Sequence, residues 1–441
     1  MKKTISEFLN DEYKKYAIYV LENRSIPSII DGLKPTARKA LYVGLKHIRN
    51  KTEKVSTLAG KVISEAQYHN GNVSAENVII TMSQLFKNNL PLFDGIGQFG
   101  TLKDPYPSAS RYISVKLNKT YDKTFKDDDL LISNVVDGIS CEPIYYYPII
   151  PMVLINQSSG VAVAFATNIL NRLPKDVIQS CLDFLNNKKV KNPKPYINEF
   201  TGNIINDKEN SKRWIISGIY EKINSNTISI TEIPPSMTYQ KYEELLDKLV
   251  KNEDIIEYYN TGQGSINYII KFSRERLKKL TDDGINKLFK LIEYETENFN
   301  VLDEFGKLKT FDSVEEIIKY FVEFRLKLYT KRKDFQIKKI NDQINILENK
   351  IRFIKAIIDE LLIVNNRKKD MIEKDLVVLK FDKVENNFDY LLRMPIYSLT
   401  KETYDRLRED MNVKKQELVD VKKSKPIDTY IKELEDLKKI I

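Results

Sequence analysis

Ile337, Ile340, Ile344, Leu347, Ile351, Ile354, Ile358 and Leu361 follow one another at spacings of 3, 4, 3, 4, 3, 4 and 3. Alternating steps of three and four draw one narrow apolar stripe along a helix, and a stripe that narrow is buried by a second helix laid against it. Wound as helix, the run would extend roughly 37 Å. A second seam, Ile427, Tyr430, Leu434, Leu437 and Ile441, repeats at 3, 4, 3, 4. Between the two lies a compact insert at 365–400 that includes LLRMPIYSLTKE. The pattern predicts an outgoing helix, a small knob and a returning helix, an antiparallel coiled-coil arm. The competing reading is a helical hairpin inside a globule.

The rest of the chain must form something larger. With 441 residues there is room for two to four domains, and 42% hydrophobic with 30% charged residues fits a globular protein. Only 15 Gly and 15 Pro argue against long disordered tracts. A net charge of +9 favours a polyanionic partner only where the cations cluster. Cys141 and Cys181 make no disulfide framework, and two histidines cannot build a zinc cluster. A reducing cytoplasm is the expected setting. Glu7, Asp11 and Glu12 break up MKKTISEFLNDEYKK, so no signal peptide is expected. Residues 143–171 carry no charge, but Pro148, Pro151 and the central INQSSG predict two buried strands around a turn and no membrane span.

Along the chain, a helix is expected over 5–24, ending before SIPSIIDGLKP. A basic helix follows in TARKALYVGLKHIRN with Thr36 as cap, then EKVSTLAGKVISEAQ, then SAENVIITMSQLFKNN with Ser74 as cap. Short helices followed by strands suggest a helix-turn-helix or winged-helix module. From about 125 to 310 an α+β domain is expected. In it WIISGIYEKINSNTISITEIPP forms a hairpin turning at Asn224–Asn226, and TYQKYEELLDKLVKN forms a helix.

One stretch could carry chemistry. In GQFGTLKDPYPSASRYISVKL a period of two puts Ile113, Val115 and Leu117 on one face, and Tyr112, Ser114 and Lys116 on the other. Arg111 adjoins the tyrosine, with Lys103, Lys116, Lys119 and Lys123 near in sequence. A phenol on a polar, basic face is either a surface group or a nucleophile. The Asp127-Asp128-Asp129 run reads as solvated.

Seven fragments in order, NRSIPSIIDGLKPTARKALY, KVSTLAGKV, AQYHNG, DGIGQFGT, SASRYISVKL, PIIPMVLINQSSGVAVAFATNI and LLRMPIYSLT, resemble the DNA breakage–reunion subunit of type IIA topoisomerases. The resemblance covers nearly the whole chain, and the layout is most similar to the separate medium subunits of T-even phage members. It implies a multidomain α+β fold: an N-terminal helical arm (1–24), a winged-helix cleavage domain (25–130), a tower domain (131–310), and a coiled coil ending in a dimerising C-gate (311–441).

The resemblance also implies roles. Tyr112 matches the nucleophile that forms a 5′-phosphotyrosyl link to DNA, and Arg111 a cation for the phosphoryl oxygens. Arg24, Lys34, Arg38 and Lys54 match phosphate-contacting positions. His69 matches a histidine near the scissile phosphate, whereas Asn70 stands where a second histidine is usual and cannot shuttle a proton. Ile169 matches an isoleucine that wedges between base pairs and bends DNA, although Leu170 replaces the proline expected after it. No G-x-x-x-x-G-K-[ST] phosphate loop occurs. In the family resembled, the acidic metal-binding cluster and the ATPase lie outside the breakage–reunion segment. The resemblance therefore implies that ATP and most of the Mg2+ ligation belong to a large partner subunit, with double-stranded DNA and a second copy of this chain as further partners. No wrapping domain is expected after the arm, which favours relaxation and decatenation over supercoiling. The alternatives are a non-catalytic winged-helix DNA-binding protein dimerised by a coiled coil, and, less well matched, a tyrosine recombinase or nicking enzyme.

Overall fold

In the computed structural model, residues 4–136, 138–262, 264–395 and 400–441 are described. The LLRMPIYSLT fragment lies only partly among them, its residues 396–399 falling outside. The chain forms two compact units, Met1–Phe324 with Ile431–Ile441, and Arg325–Tyr430. The fold is mixed α+β, with several small sheets and one helix of 45 residues, Val314–Ile358.

The first unit opens with a helical stretch from Ile5 to Ser25 that includes two π-helical turns, Leu9–Tyr13 and Leu21–Ser25. Three helices follow, Pro35–His47, Val55–Glu65 and Asn72–Ser83. Their starts differ from the expected caps. Pro35 occupies the first turn after Lys34, because a missing N–H costs nothing there. Thr36 therefore lies inside the helix. Gly71, at φ +86°, precedes the third helix, and the Ser74 hydroxyl instead accepts a hydrogen bond from Tyr68. A three-stranded antiparallel sheet, Glu53–Lys54, Ser114–Leu117 and Phe93–Ile96, has Ser114–Leu117 at its centre. The period-two reading holds: Ile113, Val115 and Leu117 are buried while Tyr112 and Lys116 are exposed.

Residues 203–296 form two further sheets. The expected hairpin is present as Ile219–Asn224 paired with Thr227–Glu232, the latter inside a four-stranded sheet. The strand does not continue back to Trp214, however. A Cβ on Gly218 would lie 2.3 Å from the Glu232 carbonyl oxygen, and the chain crosses there to a separate sheet in which Arg213–Ser217 is central. Ile228, Ile230, Tyr242, Leu246, Tyr268 and Phe272 fill the core beneath the larger sheet. The helix Tyr239–Lys251 is capped by the Thr238 hydroxyl. Within the uncharged stretch two strands do pair, Ser158–Val161 with Ala166–Ile169, but the turn lies at 162–165 and not at INQSSG, whose end is part of the first strand. The strands are only partly buried, with Val161 81% exposed. Among the described residues no helix is long and apolar enough to cross a membrane.

In the second unit the seam is real but shorter than the repeat suggests. Ile340, Ile344 and Ile354 are buried, whereas Ile358 is 49% and Leu361 71% exposed. The helix stops at Ile358, Glu360 takes a left-handed φ of +54°, and Leu362 turns into the knob core with Phe353, Ile372, Leu376 and Phe388. The returning helix of the pair is not the C-terminal seam but Lys401–Lys423. Lys333 donates to the carbonyls of Lys422 and Ser424, and Lys415 pairs with Glu348 at 2.8 Å, so the two helices run antiparallel. Its inward positions are Tyr404, Leu407, Met411, Lys414, Leu418 and Val421, a 3, 4, 3, 4, 3 repeat with a lysine in the middle. The C-terminal seam belongs to a further helix, Pro426–Ile440, where Tyr430 stacks on Tyr329 with centroids 4.6 Å apart.

Candidate nucleic-acid cleavage site

Tyr112 sits on a turn just before the central strand, its N–H bonded to the Ala109 carbonyl at 2.8 Å. The turn is clamped from both sides by the start of the helix Val55–Glu65. The Val55 N–H reaches the Ile113 carbonyl at 3.1 Å, and the Ser56 N–H reaches the Ser110 carbonyl at 3.3 Å. Backbone N–H groups at a helix start have no partner within the helix, so their use here costs the helix nothing. The clamp brackets Arg111 and Tyr112 and leaves both side chains in solvent. Tyr112 is 71% exposed, and the Arg111 guanidinium lies 4.8 Å from its ring centroid. Lys54, also exposed, is paired in register with Ser114, so it stands at the edge of the same strand.

A second group of the expected residues surrounds a cleft of about 720 Å³ in the same unit. Arg24, Lys34 and Asn70 line it with Ser159 and other small polar side chains. Arg24 donates to the Asn70 side-chain oxygen at 3.2 Å, joining the end of the first helical stretch to the YHNG turn. His69 is exposed on that turn, which the buried Tyr68 anchors. Lys34 donates to the Ser159 carbonyl at 2.8 Å, and burial pushes its ammonium pKa below the usual lysine range. The hairpin carrying Ser159 is pressed against the same wall: the Ser25 hydroxyl donates to the Val161 carbonyl at 2.7 Å. A Cβ on Gly160 would lie 1.9 Å from the Ser25 carbonyl oxygen, so only glycine allows this approach.

Three residues are placed otherwise than their expected roles require of an open contact. Arg38 is 8% exposed and committed to Asp31, at 2.6 and 3.2 Å, and to the Leu33 carbonyl at 2.9 Å. Asp31 is fully buried and also accepts from the N–H groups of Leu33 and Tyr146, so this pair builds the start of the helix. Ile169 is 2% exposed at the base of its hairpin, while Val161, Val163 and Phe165 near the tip are exposed. Lys103 is buried and paired with Glu232, and so is not among the open cations beside Tyr112.

Sequence reasoning missed two supports. Arg172 and Glu297 form a fully buried bidentate pair at 2.7 and 2.7 Å, and Glu297 also accepts from Trp214 and from the Leu170 N–H. This network fixes the backbone just after Ile169, where the expected proline is missing. An arginine closing an otherwise uncharged stretch was the available signal. The other support is Lys103, which nothing in a lysine-rich sequence distinguishes.

The family model that describes the A-type chain of DNA gyrase/topoisomerase IV matches residues 24–436. The chain is 32% identical over 447 residues to the DNA topoisomerase medium subunit of Enterobacteria phage T4, covering 99% of this chain and 99% of that protein. It is 33% identical over 492 residues to DNA topoisomerase 2 of Arabidopsis thaliana, where it spans 33% of the relative's length. The chain thus spans about a third of such longer relatives. Among solved structures, the DNA-binding, cleavage and re-ligation domain of Plasmodium falciparum topoisomerase II superposes with a TM-score of 0.88 at 31% identity, over 98% of this chain and 64% of that one.

Proposed function

The chain belongs to the family of DNA gyrase/topoisomerase IV A-type chains, and on that premise we propose that it is the strand-cleaving and resealing component of an ATP-dependent type IIA topoisomerase. Tyr112 is the nucleophile. The phenol gives up its proton as its oxygen attacks a phosphodiester phosphorus of duplex DNA, and the P–O3′ bond breaks. The leaving 3′-oxygen takes up one proton to become a hydroxyl, so no net proton is gained or lost. The product is a 5′-phosphotyrosyl link, and the reverse attack of the 3′-hydroxyl reseals the strand and frees the phenol. Because the ester is kept in the link, resealing needs no further energy source.

The observation that carries this reading is the clamp at Ser110 and Ile113, which presents an exposed Tyr112 beside an exposed Arg111. Arg111 would neutralise charge on the phosphoryl oxygens as the transition state forms. Arg24, Lys34, Lys54, His69 and Asn70 would hold the phosphates that flank the cut. Arg38 acts from beneath, through Asp31, by fixing the helix start that carries Lys34. A wedge role for Ile169 requires the base of its hairpin to open when DNA binds. In this reading residues 25–130 form the winged-helix cleavage domain, 131–310 the tower, and 311–441 the coiled coil with its C-gate.

Type IIA topoisomerases use Mg2+ and ATP. Among the described residues no three His, Cys, Asp or Glu gather to hold a metal ion. We propose that a large partner subunit binds the ATP and holds most of the Mg2+. A second copy of this chain would pair through the knob, where Leu361, Ile363, Val377 and Val378 are 56–78% exposed. The deciding experiment traps the covalent DNA complex with the large subunit present and maps the linked residue. A tyrosine other than Tyr112, or no adduct, would defeat the assignment.

A further inference from the structure

The loop leading to Tyr112 is tied down by a charge where the core would otherwise be apolar. Lys103 is 7% and Glu232 4% exposed, and their charged groups meet at 3.0 Å. The same ammonium donates to the carbonyls of Ile233 and Pro234. The other oxygen of Glu232 accepts from the N–H and the hydroxyl of Thr201, at 3.0 and 2.7 Å. Beside this pair the Lys103 carbonyl accepts from the Tyr239 N–H at 3.0 Å, and the Leu102 N–H donates to Glu199 at 2.8 Å. Glu232 ends the strand Thr227–Glu232, which lies inside the four-stranded sheet. All these residues belong to the first compact unit.

From Phe99 to Ser110 the loop around Lys103 is pinned at several points. The Gln84 amide holds the Phe99 carbonyl at 2.8 Å, and the Thr101 N–H holds the Asp104 carbonyl at 2.8 Å. Gly100, at φ +85°, lets Pro105 pack where a Cβ would stand 2.8 Å away. The Ser108 N–H binds the Gln98 carbonyl at 3.0 Å, and Ser110 is held by the helix clamp already described. A displacement at Lys103 therefore passes along a stiff path to the turn that carries the phenol. Each buried ion costs several kcal/mol of desolvation, so an apolar side chain would fill the space more cheaply. Burial pushes the Lys103 pKa down, against the pull of Glu232.

We propose that Lys103 is a positioning residue for strand cleavage, coupling the tyrosine loop through Glu232 to the four-stranded sheet and so setting where the Tyr112 hydroxyl stands. The inference rests on Tyr112 being the nucleophile. In-line attack tolerates little error, and a misplacement of about 1 Å can cost about a hundredfold in rate.

The test uses this chain assembled with its large subunit, magnesium and a labelled duplex. Lys103→Met, Lys103→Arg and Glu232→Gln are compared with wild type for covalent complex formed, duplex affinity and melting temperature. Lys103→Met is expected to lower cleavage by about a hundredfold while duplex affinity stays within about twofold. Lys103→Arg, which keeps the charge on Glu232, is expected to restore most of it. If Lys103→Met does not fold, Glu232→Gln decides: it keeps shape and the Thr201 bonds but can turn an amide donor toward the ammonium, and cleavage should fall with affinity retained. Folded Lys103→Met or Glu232→Gln protein that cleaves like wild type would overturn the inference, as would cleavage and affinity falling together. If wild type itself forms no adduct at Tyr112, the nucleophile reading fails instead, and that result is separable because it appears without any variant.

Discussion

The guanidinium of Arg111 rests over the ring of its neighbour Tyr112, 4.8 Å from the centroid, with both side chains in solvent. A cation over an exposed ring gains only about 0.5–1 kcal/mol, whereas a charge-assisted bond to a phosphate is about twice as strong as a neutral one. The resting contact over the ring is therefore weak enough for Arg111 to give it up when a phosphate arrives. Tyr112→Phe keeps ring and stack and removes one oxygen. Cleavage by the assembled enzyme should become undetectable, with duplex affinity of the chain changed by no more than about twofold. A Phe variant that still relaxes supercoiled DNA would remove Tyr112 from the chemistry.

Arg24 and Arg38 should fail in different ways. Arg38 is buried against a fully buried Asp31, and removing one partner of such a pair costs about 3–5 kcal/mol. Arg38→Ala should therefore lower the melting temperature sharply. Arg24 lines the open cleft, so Arg24→Ala should leave melting nearly unchanged and reduce the salt dependence of duplex binding by about one counterion. Melting curves and a salt titration on both variants separate the roles. Equal melting temperatures would show that the Arg38–Asp31 pair does not support the fold.

If Lys34 contacts a phosphate as proposed, duplex binding should become pH-dependent on the alkaline side. Burial lowers its native pKa, so between that value and the ordinary lysine value of about 10.4 the unfolded chain binds more protons than the native one. Stability contributed by this group therefore rises with pH across that window. Duplex binding runs the other way, because a phosphate beside the ammonium restores its proton. Affinity should weaken as pH rises through the lowered value, with proton uptake on binding. Calorimetry in two buffers of different ionisation heat, on wild type and Lys34→Met, checks this. The same proton uptake in both proteins would exclude Lys34 as the source.

Much of this was legible because the sequence advertises periodicity better than it advertises partners. The alternation at Ile113, Val115 and Leu117 dictated which way Tyr112 points, and three consecutive helices and the later hairpin followed from pattern and turn residues. The returning helix of the arm was hidden because a half-buried lysine, Lys414, occupies a position of its repeat and breaks the apolar count. The overextended seam at Ile358 and Leu361 shows the converse, a repeat that outlasts its helix. At the site, residue type could not distinguish Arg38, spent on Asp31, from Arg24, which lines the cleft. That difference depends on an aspartate's burial, which is a tertiary property.

The knob of the second unit gives a prediction that separates assembly from folding. Leu361 is 71% and Val378 78% exposed, outside the buried set Phe353, Leu362, Ile372 and Leu376 that holds the knob together. Substituting an exposed side chain usually changes stability by less than about 0.5 kcal/mol. Leu361→Glu with Val378→Glu should therefore leave the melting temperature in place when both proteins are compared at a concentration low enough to be monomeric. If the two side chains are covered by a second copy, each copy buries two apolar groups worth about 1.5–3 kcal/mol apiece, and the charges that replace them resist desolvation. Sedimentation should then show dimer in wild type and monomer in the variant at the same concentration. Duplex binding and the covalent link at Tyr112 depend on the first unit and should fall less than decatenation, which needs two copies to hold together while a duplex passes. A variant that remains dimeric and decatenates fully would place the dimer contact away from the knob.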